Sequence, residues 1–155
     1  MKQGAKPVLA VDVDEVLYPL VRLFVDYHNN RHGTDATFEQ FYTYAFEHSL
    51  DLPLETHLER LRAFADDGNF ATALPIEESK VAIRQLAETY DLQVVTSRWE
   101  EWQEDTLTWL KQHFPGTFSG IHFANSITWK RGVEFEKSAI CRRIGAAYFI
   151  DDSLS

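Results

Sequence analysis

The fold is decided by residues Val8–Pro19, which read Val-Leu-Ala-Val-Asp-Val-Asp-Glu-Val-Leu-Tyr-Pro. The stretch opens with a continuous apolar run, which is typical of a strand buried on both faces of a parallel sheet. Asp12 and Asp14 follow with only Val13 between them, so in an extended chain both carboxylates point to the same side. Two like charges on one face of a buried strand are costly, because each loses hydration and repels the other. The pattern favours a strand that ends beside a cation in a metal-assisted catalytic site, and the alternative is a strand that runs into an acidic turn.

Length, composition and charge are those of one ordinary globular domain. The chain has 155 residues, of which 45% are apolar and 25% charged, which excludes a disordered protein. A net charge of −9 without a block of Lys or Arg makes tight binding to a nucleic acid polymer unfavourable. The single cysteine, Cys141, excludes an internal disulfide and suits a reducing compartment. Because no apolar run approaches membrane-spanning length and Met1–Pro7 lacks the apolar core of a signal peptide, we predict a soluble, cytoplasmic protein without membrane contact.

Between the first strand and residue 74 the sequence predicts helices and no strand. Apolar spacing places them at Val16–His32, Thr37–Phe46 and Leu54–Ala65. Gly33 suits the left-handed position that ends a helix, and Thr37 with Gln40 resembles a capping box. We interpret residues 17–74 as a small helical cap, because helices inserted without a strand do not form a crossover of the sheet.

From Glu77 onward, helices alternate with strands. The predicted helices run from Glu77 to near Asp91, over Glu100–Phe114 and over Phe135–Ile144, and the predicted strands are Leu92–Ser97, Gly120–Ala124 and Ala147–Ile150. Alternation of this kind implies a parallel sheet with right-handed crossovers. The predicted fold class is therefore α/β, a doubly wound, Rossmann-like parallel sheet built from residues 1–16 and 75–155.

Three of the predicted strands end in polar side chains. They are Asp12 and Asp14 at the end of the first strand, Thr96, Ser97 and Arg98 at the end of the second, and Asp151 and Asp152 at the end of the last. In open parallel sheets, ligands bind outside the carboxyl ends of the strands, so we expect these groups to converge. Lys137, near the start of the helix before the last strand, would add a positive charge from the side.

These groups resemble, in order, the four motifs of the haloacid-dehalogenase-like (HAD) phosphohydrolases. The matching positions are Asp12-x-Asp14 after an apolar strand, a strand-terminal Thr96, Lys137, and Phe149-Ile150-Asp151-Asp152. The helical insertion resembles the small cap of that family. A narrower resemblance is to its 5′(3′)-deoxyribonucleotidase-like branch. There a Val-Val-Thr-Ser strand precedes a helix that ends like Trp109–Pro115 and then a strand like Ile121–Phe123.

The resemblance implies roles for four catalytic residues. Asp12 would attack phosphorus to give an aspartyl-phosphate, and Asp14 would act as general acid and then as general base. Thr96 would hydrogen-bond a phosphoryl oxygen, and its alternative is an ordinary strand residue. Lys137 would offset charge on the nucleophile and the phosphoryl group, with Lys130 as the rival lysine.

The resemblance also implies a Mg²⁺ ion as cofactor. Asp12, the backbone carbonyl of Asp14, and Asp151 would bind it, with waters and a phosphate oxygen completing an octahedron. Asp152 is a further candidate ligand, although ordering the waters of the metal or the loop is the alternative role for this residue.

Two pairs of residues are candidates for substrate binding. Ser97 and Arg98 could contact the phosphate, whereas the alternative for Arg98 is an ion pair with Glu100 or Glu101. In the cap, Phe41 and Tyr44 could stack on a planar base, and the alternative is that they only pack the cap helices together.

The chain departs from the family pattern at two points. Glu15 occupies a position that is often Gly in the family, and only three residues follow Asp152, where the family adds at least one more strand and helix. We therefore expect either a fragment or support from another chain, and the unpaired edge of the last strand could recruit a second copy into a homodimer.

The predicted function is Mg²⁺-dependent hydrolysis of a small phosphomonoester, with a nucleoside monophosphate as the favoured substrate. One alternative is a sugar-phosphate or other metabolite phosphatase with the same core. The other is a catalytically inactive relative that serves as a binding or regulatory module.

Overall fold

A four-stranded parallel sheet forms the centre of the protein in a computed structural model that describes residues 4–41, 49–124 and 137–152. The strands are β1 (Val8–Val11), β2 (Asp91–Thr96), β3 (Gly120–Phe123) and β4 (Ala146–Ile150). Their order across the sheet is β3-β2-β1-β4, and every pairing is parallel. The predicted doubly wound α/β fold is therefore confirmed, with β1 at the centre between β2 and β4.

Helices precede or connect the strands. They are α1 (Leu20–His32), α2 (Leu54–Asp66), the one-turn α3 (Asn69–Thr72), α4 (Glu77–Thr89), α5 (Gln103–His113) and α6 (Lys137–Arg143). A 3₁₀ turn at Glu100–Trp102 leads into α5, so the helix predicted over Glu100–Phe114 is divided in two. In the described part of the chain, none of the helices is long and apolar enough to cross a membrane.

The first helix begins four residues later than predicted. α1 starts at Leu20 instead of Val16, directly after Pro19. The residues before it form a tight turn, in which the N–H groups of Leu17 and Tyr18 both donate to the carbonyl of Val13, at 2.8 and 2.9 Å. This turn belongs to the end of β1, and the helical spacing of the apolar residues does not reveal it.

The predicted second helix lies partly outside the described residues. The structure shows a 3₁₀ turn at Phe38–Phe41. The N–H of Thr37 donates to Oε1 of Gln40 at 2.6 Å, which is one of the two bonds of the predicted capping box. Residues 42–48, and with them the substrate-binding candidate Tyr44, are not among the described residues.

The sheet separates two hydrophobic clusters, because successive residues of a strand face opposite sides. Leu9 and Val11 of β1 belong to the larger cluster and Ala10 to the smaller. The larger cluster also contains residues from helices before and after β2, among them Phe24, Phe64, Phe70, Trp109 and Leu110. The helices of residues 17–74 thus share one core with the sheet, and this packing holds them next to its carboxyl edge.

Candidate active site

The carboxyl ends of β1 and β4 bring Asp12 and Asp151 together. Val11 and Ile150 are partners in the parallel pairing, and the N–H of Asp12 donates to the carbonyl of Ile150 at 2.9 Å. Lys137, the first residue of α6, donates from Nζ to Oδ2 of Asp12 at 2.6 Å and to Oδ2 of Asp151 at 3.0 Å. Three of the residues predicted for the site therefore form one ion-paired cluster.

Burial governs the electrostatics of this cluster. Burial raises the pKa of Asp12 from 3.8 to about 7, the charge of Lys137 opposes this shift, and the neighbouring Asp14 and Asp151 add to it. The N–H of Val13 donates to the other carboxylate oxygen of Asp12 at 2.7 Å. For Lys137, burial lowers the pKa but the two carboxylates more than offset that effect, so its pKa lies above the ordinary value. The site therefore holds a firmly charged lysine beside a carboxylate that further positive charge would help to ionise.

The carboxylate of Asp14 is held by Arg98. Arg98 Nε lies 3.1 and 3.2 Å from the two oxygens of Asp14, and Nη2 lies 2.7 Å from Oδ1. The sequence left open a pair between Arg98 and Glu100 or Glu101. In the structure, Asp14 is the partner of Arg98, while Glu101 pairs with Arg62 at 3.3 Å.

The end of β2 contributes Thr96 and Ser97. Thr96 is buried, and its hydroxyl accepts a hydrogen bond from the N–H of Arg98 at 3.2 Å. β2 pairs with β1 through Val94 and Val11, so Thr96, the last residue of β2, lies at the same edge of the sheet as Asp12. The candidates Thr96, Ser97 and Arg98 therefore lie on the same side of the molecule as the acidic cluster.

Three carboxylates could hold a divalent cation. Asp12, Asp151 and Asp152 each offer a carboxylate oxygen, and these atoms lie within 4.8 Å of one another. Hard oxygen donors of this kind fit Mg²⁺. Burial and the adjacent Asp151 raise the pKa of Asp152. A bound cation would lower this pKa again, because positive charge stabilises the ionised carboxylate. The carboxylate of Asp14 is not in this group. The predicted contribution of the Asp14 backbone carbonyl stays a prediction.

Glu15, at the position where the resemblance to the family leads one to expect Gly, adopts the left-handed conformation. Its φ is 58°, which is unfavourable for a residue with a side chain. Its carboxylate accepts a hydrogen bond from the N–H of Val21 in the first turn of α1 at 2.7 Å, and a negative charge there is favourable. Glu15, Val21, Phe38, Phe41 and Asp152 line a cavity of about 290 Å³. The candidate Phe41 therefore lies on the Asp152 side of the site.

A second cavity, of about 250 Å³, opens beside Asp14. Its lining residues are Asp14, Leu20, Leu61, Phe70, Ser97, Arg98, Trp99 and Trp102. The rings of Trp99 and Trp102 are stacked, with centroids 4.4 Å apart and an angle of 13° between their planes. The sequence analysis did not identify either tryptophan as a candidate site residue. Their position shortly after the polar end of β2 could have indicated it.

Solved structures of HAD-like hydrolases share this fold. A haloacid-dehalogenase-like hydrolase from Streptococcus pneumoniae matches with a TM-score of 0.67 at 14% identity, over 96% of this chain and 76% of that one. A HAD-superfamily hydrolase of subfamily IA, variant 1, from Geobacter sulfurreducens matches with a TM-score of 0.57 at 17% identity, over 97% and 80%. At these identities the likeness shows the fold alone.

Sequence comparison identifies the branch. Among curated proteins there is no significant match. The family model described as 5′ nucleotidase, deoxy (pyrimidine), cytosolic type C protein matches residues 6–141, which include β1, β2, Arg98 and Lys137. The chain therefore belongs to the cytosolic type C 5′-deoxynucleotidase family, a branch of the HAD-like hydrolases.

Proposed function

We propose that the protein is a Mg²⁺-dependent phosphomonoesterase that hydrolyses nucleoside monophosphates through an aspartyl-phosphate. The observation that carries this proposal is the cluster of Asp12, Lys137 and Asp151 at the carboxyl edge of the sheet, with Asp14 beside it. A nucleophile, a fixed positive charge and a second carboxylate are the groups that this chemistry requires.

In the first step, a carboxylate oxygen of Asp12 forms a bond to phosphorus while the bond between phosphorus and the ester oxygen breaks. Asp14 gives its proton to the departing oxygen, so the product leaves as a neutral alcohol. Lys137 already contacts Asp12, and its charge lies where the phosphoryl oxygens gain negative charge in the transition state. This step produces the aspartyl-phosphate and the free nucleoside.

In the second step, Asp14 acts as a base. Its carboxylate takes a proton from a water molecule, and the oxygen of that water attacks phosphorus. The bond between phosphorus and Asp12 then breaks, which releases inorganic phosphate and restores the Asp12 carboxylate. Asp14 now carries the proton that the next substrate needs.

Asp12, Asp151 and Asp152, with the backbone carbonyl of Asp14, would hold the Mg²⁺ ion. When bound, Mg²⁺ supplies positive charge that stabilises the carboxylate of Asp12 and the oxygens of the phosphoryl group. The raised pKa of Asp12 supports this assignment, because without a cation the nucleophile would be only partly ionised at neutral pH.

The cavity beside Asp14 supports a nucleoside as the leaving group. A general acid must lie next to the oxygen that departs, so the leaving group extends to the side of Asp14. Among the described residues that line this cavity, the charged ones are Asp14 and Arg98, which are bonded to each other. The remaining surface is largely apolar and includes the two stacked tryptophans, of which Trp99 also packs against the guanidinium of Arg62. An apolar surface of this kind suits a planar base better than the hydroxyl groups of a sugar.

The proposal is tested by phosphate release from purified protein. The substrates are nucleoside 5′-monophosphates, p-nitrophenyl phosphate and sugar phosphates, each with Mg²⁺ and with EDTA. We expect Mg²⁺-dependent turnover that favours the nucleotides and is absent in Asp12→Asn. A preference for sugar phosphates would instead support a metabolite phosphatase. A folded protein that binds Mg²⁺ but hydrolyses no ester would be an inactive relative.

A further inference from the structure

Arg98 uses all three nitrogens of its guanidinium inside the protein. Nε and Nη2 donate to Asp14, and Nη1 donates to Oγ1 of Thr106 at 3.1 Å. The hydroxyl of Thr106 in turn donates to the carbonyl of Trp102 at 2.7 Å, which leaves its oxygen oriented to accept from Arg98. Only 1% of the Arg98 side chain is exposed, compared with 24% of the Asp14 side chain.

Two aromatic rings enclose the guanidinium. Its central carbon lies 4.4 Å from the ring centroid of Tyr18 and 4.3 Å from that of Phe70. The hydroxyl of Tyr18 donates to the carbonyl of Asn69 at 2.8 Å, which fixes this ring against α3. Contacts between a cation and a ring stabilise a desolvated charge, and a planar guanidinium stacks better than an ammonium would. Arg98 is therefore a rigid support that reaches Asp14 from the end of β2.

We propose that Arg98 is a positioning residue that fixes the orientation of the Asp14 carboxylate for proton transfer, an inference that rests on the proposed phosphatase function. Bonds to both carboxylate oxygens restrict the rotation of the side chain of Asp14, which lies in the turn after β1. Proton transfer needs a distance and an angle that a freely rotating carboxylate seldom adopts. A direct contact between Arg98 and the phosphate is the rival role, and it would have to use the two remaining N–H groups of a guanidinium that is only 1% exposed.

The two roles differ in their dependence on the leaving group. An alkyl phosphate must receive a proton as it leaves, whereas p-nitrophenolate leaves readily without one. Loss of a positioned acid should therefore lower the rate of hydrolysis of the alkyl ester selectively. Loss of a phosphate contact should lower the rates for both kinds of ester to the same extent. The suitable quantity is kcat/KM, because it covers the steps up to departure of the alcohol and excludes the later hydrolysis of the aspartyl-phosphate.

The experiment compares the parent with Arg98→Lys and Thr106→Val. Lysine keeps the charge but cannot bond both oxygens of Asp14 in the same plane, and valine keeps the shape of Thr106 while removing the acceptor for Nη1. Each protein is assayed with thymidine 5′-monophosphate, with a small alkyl phosphate that lacks a base, and with p-nitrophenyl phosphate, and the inhibition constant of inorganic phosphate is measured. The small alkyl phosphate is needed because Arg98 also lines the cavity proposed for the base. Arg31→Lys is the matched control, because Arg31 also pairs with a carboxylate, Asp67, and lies over a tyrosine ring but is exposed and belongs to α1.

For Arg98→Lys we expect kcat/KM to fall about 100-fold for both the nucleotide and the small alkyl phosphate and less than about 5-fold for p-nitrophenyl phosphate, with phosphate inhibition unchanged. Thr106→Val should show the same selectivity with a smaller loss, and it carries the test if Arg98→Lys does not fold. Equal losses on the alkyl and nitrophenyl esters, a loss confined to the nucleotide, or weaker phosphate inhibition would overturn the positioning role while the proposed function stands. A parent that hydrolyses none of the three esters would overturn the proposed function itself.

Discussion

Replacement of Asp12 with Asn should remove phosphatase activity and at the same time make the metal-free protein more stable at mildly alkaline pH. The two effects have one cause, because the carboxylate that we propose attacks phosphorus is also a buried charge. Asn has nearly the same shape, so the core around β1 should be preserved.

The magnitude follows from the pKa of Asp12, which burial raises from 3.8 to about 7. Each pKa unit between the folded and unfolded states corresponds to about 1.4 kcal/mol, so ionisation costs the folded state as much as ~4 kcal/mol. Only 5% of the side chain is exposed, and solvent therefore screens little of this cost. Because the folded-state pKa is the higher one, stability is lost as the pH rises from 3.8 through about 7.

The variant also loses the charge that pairs with Lys137, so the net gain should be smaller than this upper value. We expect Asp12→Asn to raise the free energy of unfolding by about 2 kcal/mol near pH 8, which corresponds to about 4–8 °C in Tm for a domain of this size. Near pH 4 the two proteins should have similar stability, because Asp12 is then protonated in the folded state.

The assay is thermal and urea unfolding of both proteins in EDTA across this pH range, followed by circular dichroism. Groups that titrate in the same way in both proteins do not contribute to the difference between their free energies of unfolding. Asp26→Asn, at an exposed position of α1, is the control. The same fall of stability with pH in the parent and in Asp12→Asn would refute the reasoning, because the buried carboxylate would then not be its source.

Three further outcomes are expected. Millimolar Mg²⁺ should raise the Tm of the parent by about 3 °C or more, and calorimetry should show a smaller rise in Asp151→Asn, since a carboxylate is lost from the cation site. Trp99→Ala should raise KM for a nucleoside monophosphate about tenfold and leave KM for a small alkyl phosphate nearly unchanged, and equal effects would make the ring only structural. Burial, Arg60 and His32 lower the pKa of His28, so stability should fall as the pH drops below about 6.5, and His28→Gln should flatten that part of the curve in urea titrations.

The fold and the convergence of the site could be predicted because both follow from local rules. Period-two geometry places Asp12 and Asp14 after the first strand, and the shared direction of parallel strands brings Thr96 and Asp151 to the same edge. These inferences need only the ends of strands, which short apolar runs mark well. The resemblance to HAD phosphohydrolases then selected Lys137 among the lysines, and the structure places it between two carboxylates.

The partners of Arg98 could not be predicted, because they depend on packing between distant elements. Several carboxylates are near Arg98 in sequence, but the one it contacts lies 84 positions away. The guanidinium is enclosed by the rings of Tyr18, from the turn after β1, and of Phe70, from α3, which packs against α5. The tryptophan cavity is likewise formed by α1, α2, α3 and the segment after β2 together.

Glu15 joins the turn after β1 to the first turn of α1. A residue with a side chain at φ 58° is strained by about 1 kcal/mol, a cost that Gly would avoid. The bond from Val21 N–H to its carboxylate offsets this strain and ties the first turn of α1 to the residue next to Asp14. A rotation of α1 would therefore break this bond or move the backbone beside Asp14, so the position of α1 and the backbone of the turn after β1 are linked through one side chain.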